Sequence, residues 1–234
     1  KGKKGITVDA EYLIAKIRAA KPMHTEELQL AAKREGMCSY EIALELAKKA
    51  DVIVGDYYYL FNPIVRQNIL KKLDLALEDI ILIVDEGHNL PNRITDMQSA
   101  RLTHNVLKYA AQEAQKAGAE SLCNALLDIQ GRFANLKRLD EKNPEAKVTE
   151  DDFTAIIKII IDYEQFIEEL DSVAEELRAK QKKSFCGSVA DFLHKWIGNN
   201  KGFARIFREA KGKIGKYKEL EYCCLDPSLA SSAI

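Results

Sequence analysis

The chain has 234 residues, 47% of them apolar and 30% charged, which excludes a disordered or fibrous class and leaves a globular protein with material for a core. A formal net charge of −1 excludes a global basic field, so any nucleic-acid surface has to be a local patch. No apolar run approaches the roughly 18 residues a membrane span requires, and the opening lysines are not followed by the apolar stretch of a signal peptide.

In chain order, residues 7–21 carry Val8, Tyr12, Ile14 and Ile17 at roughly helical spacing, and Pro22 ends that helix. Thr25 followed by Glu26, Glu27 and Gln29 predicts a second helix start, with Gly36 as its stop. Cys38 opens a third helix with Glu41 early and Lys48 and Lys49 late, where cations suit the macrodipole. Asp51 then precedes a short β-branched run, Val52 to Val54. Tyrosines 57–59 lead to the turn signal Asn62-Pro63. Ile64, Ile69, Leu73 and Leu77 form a stripe opposite Arg66, Lys71 and Lys72, which predicts an amphipathic helix.

The most informative stretch is IILIVDEGHNL, residues 80–90. Five apolar residues, Ile80 to Val84, run into Asp85 and Glu86, and Gly87 and His88 follow. A short continuous apolar run predicts a strand buried on both faces, as in a parallel sheet. The helix before it would make a right-handed βαβ crossover. Ligands of open α/β sheets bind at the carboxyl ends of strands, where Asp85, Glu86 and His88 would emerge. In nucleotide hydrolases an Asp in that place holds magnesium, and a neighbouring carboxylate orients or deprotonates the attacking water. A strand that simply ends in a solvated acidic turn would read the same way.

From about residue 93 to 200 the pattern is almost purely helical: 99–118, 119–139, a polar loop at 140–147, then 149–183 and 184–200. Thr149 with Asp152 marks the start of the third of these helices, and its length predicts a kink or break. Arg178, Lys180, Lys182 and Lys183 close it. Between 201 and 218 there are seven basic residues (Lys201, Arg205, Arg208, Lys211, Lys213, Lys216, Lys218) against Glu209 alone, interleaved with Phe203, Phe207 and Tyr217. That mixture suits a phosphate-tracking surface; a solvated charged face has the same composition. Alternation from Leu220 to Leu225 predicts a strand. Five scattered cysteines without a C-x-x-C, and four distant histidines, predict a reducing compartment and no zinc site built from this chain alone.

Three stretches together resemble the XPD and DinG group of superfamily 2 DNA helicases. VDEGHNL is similar to their D-E-A-H box, with Gly87 where Ala is more usual. CSYE, ADVIV and YYYLF match the end of the family's iron–sulfur domain, with Ser39 in place of Pro. YKELEYCCLDPSLASSAI resembles the family's return to its motor domain. The resemblance implies an α/β, mostly α fold: a partial parallel-sheet motor domain carrying a large inserted all-helical arch. It divides the chain into 1–37 (remnant of the iron–sulfur domain), 38–92 (motor domain 1 with the box), 93–216 (arch) and 217–234 (return strand). It implies ATP with Mg2+ as cofactor, Asp85 on the metal and nucleotide, Glu86 on the water, and His88 as the link to a second motor domain. Cys38 takes the place of the last thiolate of a 4Fe–4S cluster, which requires four. Either the other three precede this segment or the cluster is lost; the non-Met start and uncapped end favour a segment of a longer protein, which alone would hold no cluster.

The implied function is ATP-dependent 5′–3′ translocation on single-stranded DNA and unwinding of forked duplex, in DNA repair, in a cytoplasmic or nuclear setting without a membrane. Tyr40 and Lys48 are the DNA contacts expected near the cluster, with Leu44 where part of the family is basic. Arg205, Arg208, Lys211, Lys213 and Lys216 are those expected from the basic cluster, and regulatory proteins would dock on the arch. No G-x-x-x-x-G-K-[ST] phosphate loop occurs, so the chain alone should not turn over ATP. A non-enzymatic helical module that binds proteins or DNA is the rival reading. A complete small nucleotide hydrolase is a second, which the missing phosphate loop disfavours.

Overall fold

The computed structural model describes residues 7–20, 23–140, 142–178, 183–212 and 215–231. Lys180, Lys182 and Lys213 lie outside the described residues, as does the side chain of Arg178. The chain divides between Gly87 and His88 into two compact units.

The first unit is helical. Helix α1 (Val8–Ala19) is capped by Thr7, whose hydroxyl accepts from the Ala10 amide. Helix α2 (Thr25–Arg34) starts one residue earlier than its sequence signal, with His24 at the cap and its amide donating to Glu27. Gly36 takes a positive φ of 68° to turn the chain. Helix α3 (Ser39–Ala47) begins after Cys38. Leu13, Ile14, Ala32 and Ile42 make a small core among α1, α2 and α3. Helix α4 (Tyr58–Phe61) leads to α5 (Pro63–Leu73), where Asn62 caps and Pro63 sits in the first turn. Helix α5 is the amphipathic helix expected between two strands.

The strands themselves are a correction. Residues 52–54 and 80–84 form no β-ladder among the described residues. Both runs leave large apolar side chains in solvent: Val54 is 96%, Ile81 91% and Ile83 87% exposed. The physical reason is that a strand apolar on both faces gains stability only from neighbouring strands and covering layers, which these residues lack. The only sheet among the described residues lies in the second unit and is antiparallel throughout.

The boundary falls within a 3-10 turn, Gly87–Asn89, and the second unit continues with helix α6 (Leu90–Gln98). Strand β1 (Ala100–Thr103) occupies the start of the region predicted as helix 99–118. Thr103 then caps α7 (His104–Lys116), so a strand and a helix share one apolar pattern. Helix α8 (Glu120–Phe133) follows. Strand β2 (Glu145–Lys147) lies in the predicted polar loop. Thr149 and Asp152 form the expected capping box of α9 (Glu150–Lys158). The expected break comes before α10 (Tyr163–Arg178), where the Asp162 carboxylate accepts from the amides of Glu164 and Gln165. Helix α11 (Phe185–Trp196) precedes a hairpin of β3 (Phe203–Gly212) and β4 (Gly215–Cys224), and α12 (Ser228–Ser231) ends the described chain.

The sheet order is β1-β4-β3-β2. Leu102, Phe207, Leu220 and Tyr222 join the core with helical residues of α7 to α11. An aromatic cluster sits at its centre: Phe133 packs edge-on against Phe153 and Phe207, and Phe192 stacks on Trp196.

Both ends of α11 are closed by other elements. At the start, Glu113 of α7 accepts from the Ser184 hydroxyl (2.8 Å) and the amides of Phe185 (2.7 Å) and Cys186 (2.9 Å). At the end, Arg205 of β3, only 4% exposed, donates to the carbonyls of Trp196 and Gly198 and to the side chains of Asn200 and Glu150. Its guanidinium lies 5.3 Å from the Trp196 ring and 5.0 Å from that of Tyr222.

Removing this cation strands buried carbonyls, so Arg205→Met should cost about 3 kcal/mol, the low end for a broken buried charge network. Denaturant unfolding checks this; a loss below about 1 kcal/mol contradicts the assignment. The Thr149 backbone amide, donated to Asp152, holds that carboxyl below the ordinary carboxylate range. Its stabilisation is therefore present above the ordinary Asp value of about 3.9 and is lost as pH falls through the lower folded value. Asp152→Asn should reduce the acid dependence of the unfolding midpoint, measured by denaturation at stepped pH.

Candidate functional site

The sequence directs attention to Asp85, Glu86 and His88. Asp85 follows the apolar run 80–84 and is exposed, and its carboxylate accepts from the Glu86 amide at 2.9 Å. The Tyr57 hydroxyl donates to the Asp85 backbone carbonyl. This bond ties the start of α4 to the residue that follows the apolar run 80–84, across 28 residues of sequence. Glu86 has φ of +50°, in the left-handed region that a non-glycine residue enters at a cost of about 1 kcal/mol. His88 is exposed in the 3-10 turn within which the unit boundary falls. The two acids and the imidazole thus fall on opposite sides of the unit boundary.

Adjacent exposed carboxylates suit a magnesium ion that keeps several waters and is held mainly by substrate phosphates, not a protein-only cage. Among the described residues no cluster of three or more His, Cys, Asp or Glu side chains could hold a metal ion. Asp85 and Glu86 thus belong to no protein-only metal cage among the described residues, and the sequence carries no G-x-x-x-x-G-K-[ST] phosphate loop.

Cys38 is exposed at the cap position of α3 and is the one cysteine of the first unit. Cys123, Cys186 and Cys224 are buried and Cys223 is half-buried, all in the second unit. These thiols do not make the four-thiolate set of an iron–sulfur cluster. Tyr40, in the first turn of α3, is 44% exposed, and the Lys72 ammonium lies 4.7 Å from its ring centroid. Lys72 also pairs with Glu41 at 3.1 Å, and that hydrogen bond raises its pKa. Sequence reading missed Lys72, because nothing in the chain signals that a residue of α5 lies against α3. Lys48 is paired with Glu45 at 2.5 Å, three positions earlier.

The basic cluster separates into two kinds of residue. Arg205 is a correction: it is buried and its donors are spent on protein acceptors, so it is no DNA contact. Arg208 is similarly engaged, 2.6 Å from Glu219 and 2.9 Å from Glu221, two acids only 4% exposed. Lys218 donates to the Ala134 carbonyl. Lys211 and Lys216 are exposed near the hairpin tip, and Lys216 pairs with Glu209 at 2.7 Å. The interleaved aromatics are no stacking platform, because Phe207 is buried and Phe203 lies flat on Tyr222 at 4.6 Å. A groove of about 400 Å³ between α7 and α8 is lined by His104, Lys108, Gln112, Gln115 and Gln130. No helix among the described residues is long and apolar enough to cross a membrane.

The family model DEAD_2 matches residues 6–107, which include Cys38, Tyr40, Asp85, Glu86 and His88. Among the relatives are several that carry the name regulator of telomere elongation helicase 1 homolog. The Anopheles gambiae protein is 24% identical over 148 residues, 63% of this chain and 14% of its own length. The Oryza sativa protein is 31% identical over 120 residues, 50% of this chain and 11% of its own. The Arabidopsis thaliana protein is 35% identical over 95 residues, 41% of this chain and 9% of its own. The chain thus spans about a tenth of the length of the curated relatives it matches.

Exposure separates the thiols chemically. A maleimide should label Cys38 first and Cys186 last, since burial pushes the Cys186 thiol up to about 12. Mass mapping of partly labelled protein reads the order, and early labelling of Cys186 would contradict the packing.

Proposed function

We propose that the chain belongs to the XPD-like group of superfamily 2 DNA helicases, which the DEAD_2 match and the helicase-named relatives support, and that it is the part of an ATP-dependent 5′–3′ helicase where motor domain 1 meets a helical insertion. The observation that carries this reading is the D-E-G-H run within the matched region. Runs apolar on both faces, such as 52–54 and 80–84, are the sequence pattern of strands inside a parallel sheet. In the whole protein, further strands would pair with them and bury Val54, Ile81 and Ile83.

In that setting Asp85 would hold the magnesium of a bound triphosphate and Glu86 would orient the attacking water. The metal would neutralise charge developing on the phosphates. His88 begins the second unit, where it couples the nucleotide to the second motor domain. Cys38 supplies one thiolate of a 4Fe–4S cluster whose other ligands this chain does not contain. Tyr40, with Lys72 against its ring, and Lys48 line the path of single-stranded DNA, and the helices α7 to α11 make the arch on which regulatory proteins dock. Forked DNA is the substrate, in repair.

Turnover tests the reading. The purified chain should give no magnesium-dependent ATP hydrolysis above background, since nothing in it cradles the phosphates. In a longer protein that carries a phosphate loop, Glu86→Gln should lower turnover by about 100-fold or more while nucleotide binding persists. Hydrolysis by the isolated chain, or full turnover by that variant, would end the proposal.

A further inference from the structure

The β3–β4 hairpin outruns its sheet. Strand β1 pairs with β4 over residues 219–222, and β2 pairs with β3 over 206–208. The Glu209 amide, donated to the Pro144 carbonyl, is the last bond on the outer edge of β3. Beyond it, 210–212 and 215–217 pair only with each other among the described residues. The result is a two-stranded antiparallel ribbon standing clear of the sheet at both edges.

Its side chains sort by face. In register, Lys211 is directly opposite Lys216, and Gly212 is opposite Gly215. Lys211 shares its face with Glu209, Lys216 and Lys218, since side chains alternate along each strand. Like charges directly opposite destabilise a strand pair. Glu209 compensates one ammonium by its bond to Lys216, but the face keeps an excess of positive charge. On the other face the Tyr217 ring lies so close to Gly212 that a Cβ there would stand 3.1 Å from its Cε1. That ring is spent on the ribbon's own backbone, so among the described residues the arm has cations but no free aromatic for an unpaired base.

Resting on the helicase reading, we infer that the β3–β4 ribbon is an arm that engages the phosphates of duplex DNA through Lys211 and Lys216, ahead of or beside the strand being tracked. A two-stranded ribbon is of a size that the major groove admits. Lysines without base-reading partners give binding that is independent of sequence and strongly dependent on salt. Stacking, the main device for holding unpaired strands, is lacking here. The cross-strand lysine pair is a stability cost that a bridging phosphate relieves.

The 234-residue chain tests this without ATP, by fluorescence anisotropy on a blunt duplex and a single strand of equal length. The duplex should bind more tightly. Lys211→Gln with Lys216→Gln should lower the slope of log affinity against log salt by about 2 on the duplex, one for each phosphate no longer neutralised. Lys211→Glu, which places opposite charges across the ribbon, should raise Tm while weakening duplex binding. An unchanged salt slope, tighter binding of the single strand, or a lowered Tm for Lys211→Glu would overturn the inference. Because the readout is DNA binding, its failure is distinct from failure of the turnover test on Glu86.

Discussion

A single buried cation organises the second unit. The Arg205 guanidinium satisfies the last carbonyls of α11, reaches Glu150 at the start of α9, and sits between the rings of Trp196 and Tyr222. A charge held 4% exposed is tolerable only when its donors are met, and here several elements converge to meet them. The geometry of the site follows from it. Gly198 has to be glycine, because a Cβ would stand 2.8 Å from the Lys195 carbonyl and from the Tyr222 hydroxyl. The chain then turns through Gly202 at φ +78°, where Leu229 closes in, and enters the hairpin. The position of the cationic ribbon is thus a consequence of how a helix end is capped.

The first unit has no comparable centre. Among the described residues its core cluster is Leu13, Ile14, Ala32 and Ile42, with Leu44, Phe61 and Leu73 buried apart from it, and its two most apolar runs face water. The contrast is energetic. The helices of both units close most of their hydrogen bonds internally, whereas 52–54 and 80–84 need partners for both backbone and side chains. Next to them the Tyr57 hydroxyl bonds the Asp85 carbonyl, and elsewhere in the unit Lys72 of α5 pairs with Glu41 of α3. The exposure of 52–54 and 80–84 leaves the first unit with apolar surface that its own described residues do not cover.

Much of the helical order was legible in the residues. The Thr149–Asp152 box, the stop at Gly36 and the Asn62-Pro63 start of α5 are local signals in which a side chain meets a nearby amide or a single φ is required. The break before α10 was legible as excess length, and Asp162 supplies the new cap. The alternation that marked β4 also held. Less legible were features that depend on distant partners. Ala100 to Thr103 fit a helical stripe, yet pairing with Glu219 to Tyr222 makes them a strand. Arg205 looked like its basic neighbours, and only the fold reveals that it is enclosed. The D-E-G-H motif was readable as chemistry, but the strand expected to present it was not, because paired strands are a property of several segments at once.

The two closures of α11 carry opposite charge, Glu113 at its first amides and Arg205 at its last carbonyls. Each complements the partial charge of the helix dipole at that end. Ordinary helices lose amide protons to solvent first at their frayed tips; this one has its tips pinned from α7 and β3. Exchange of its backbone protons then requires the opening of three elements together, so α11 belongs to the slowest-exchanging, most cooperative part of the unit.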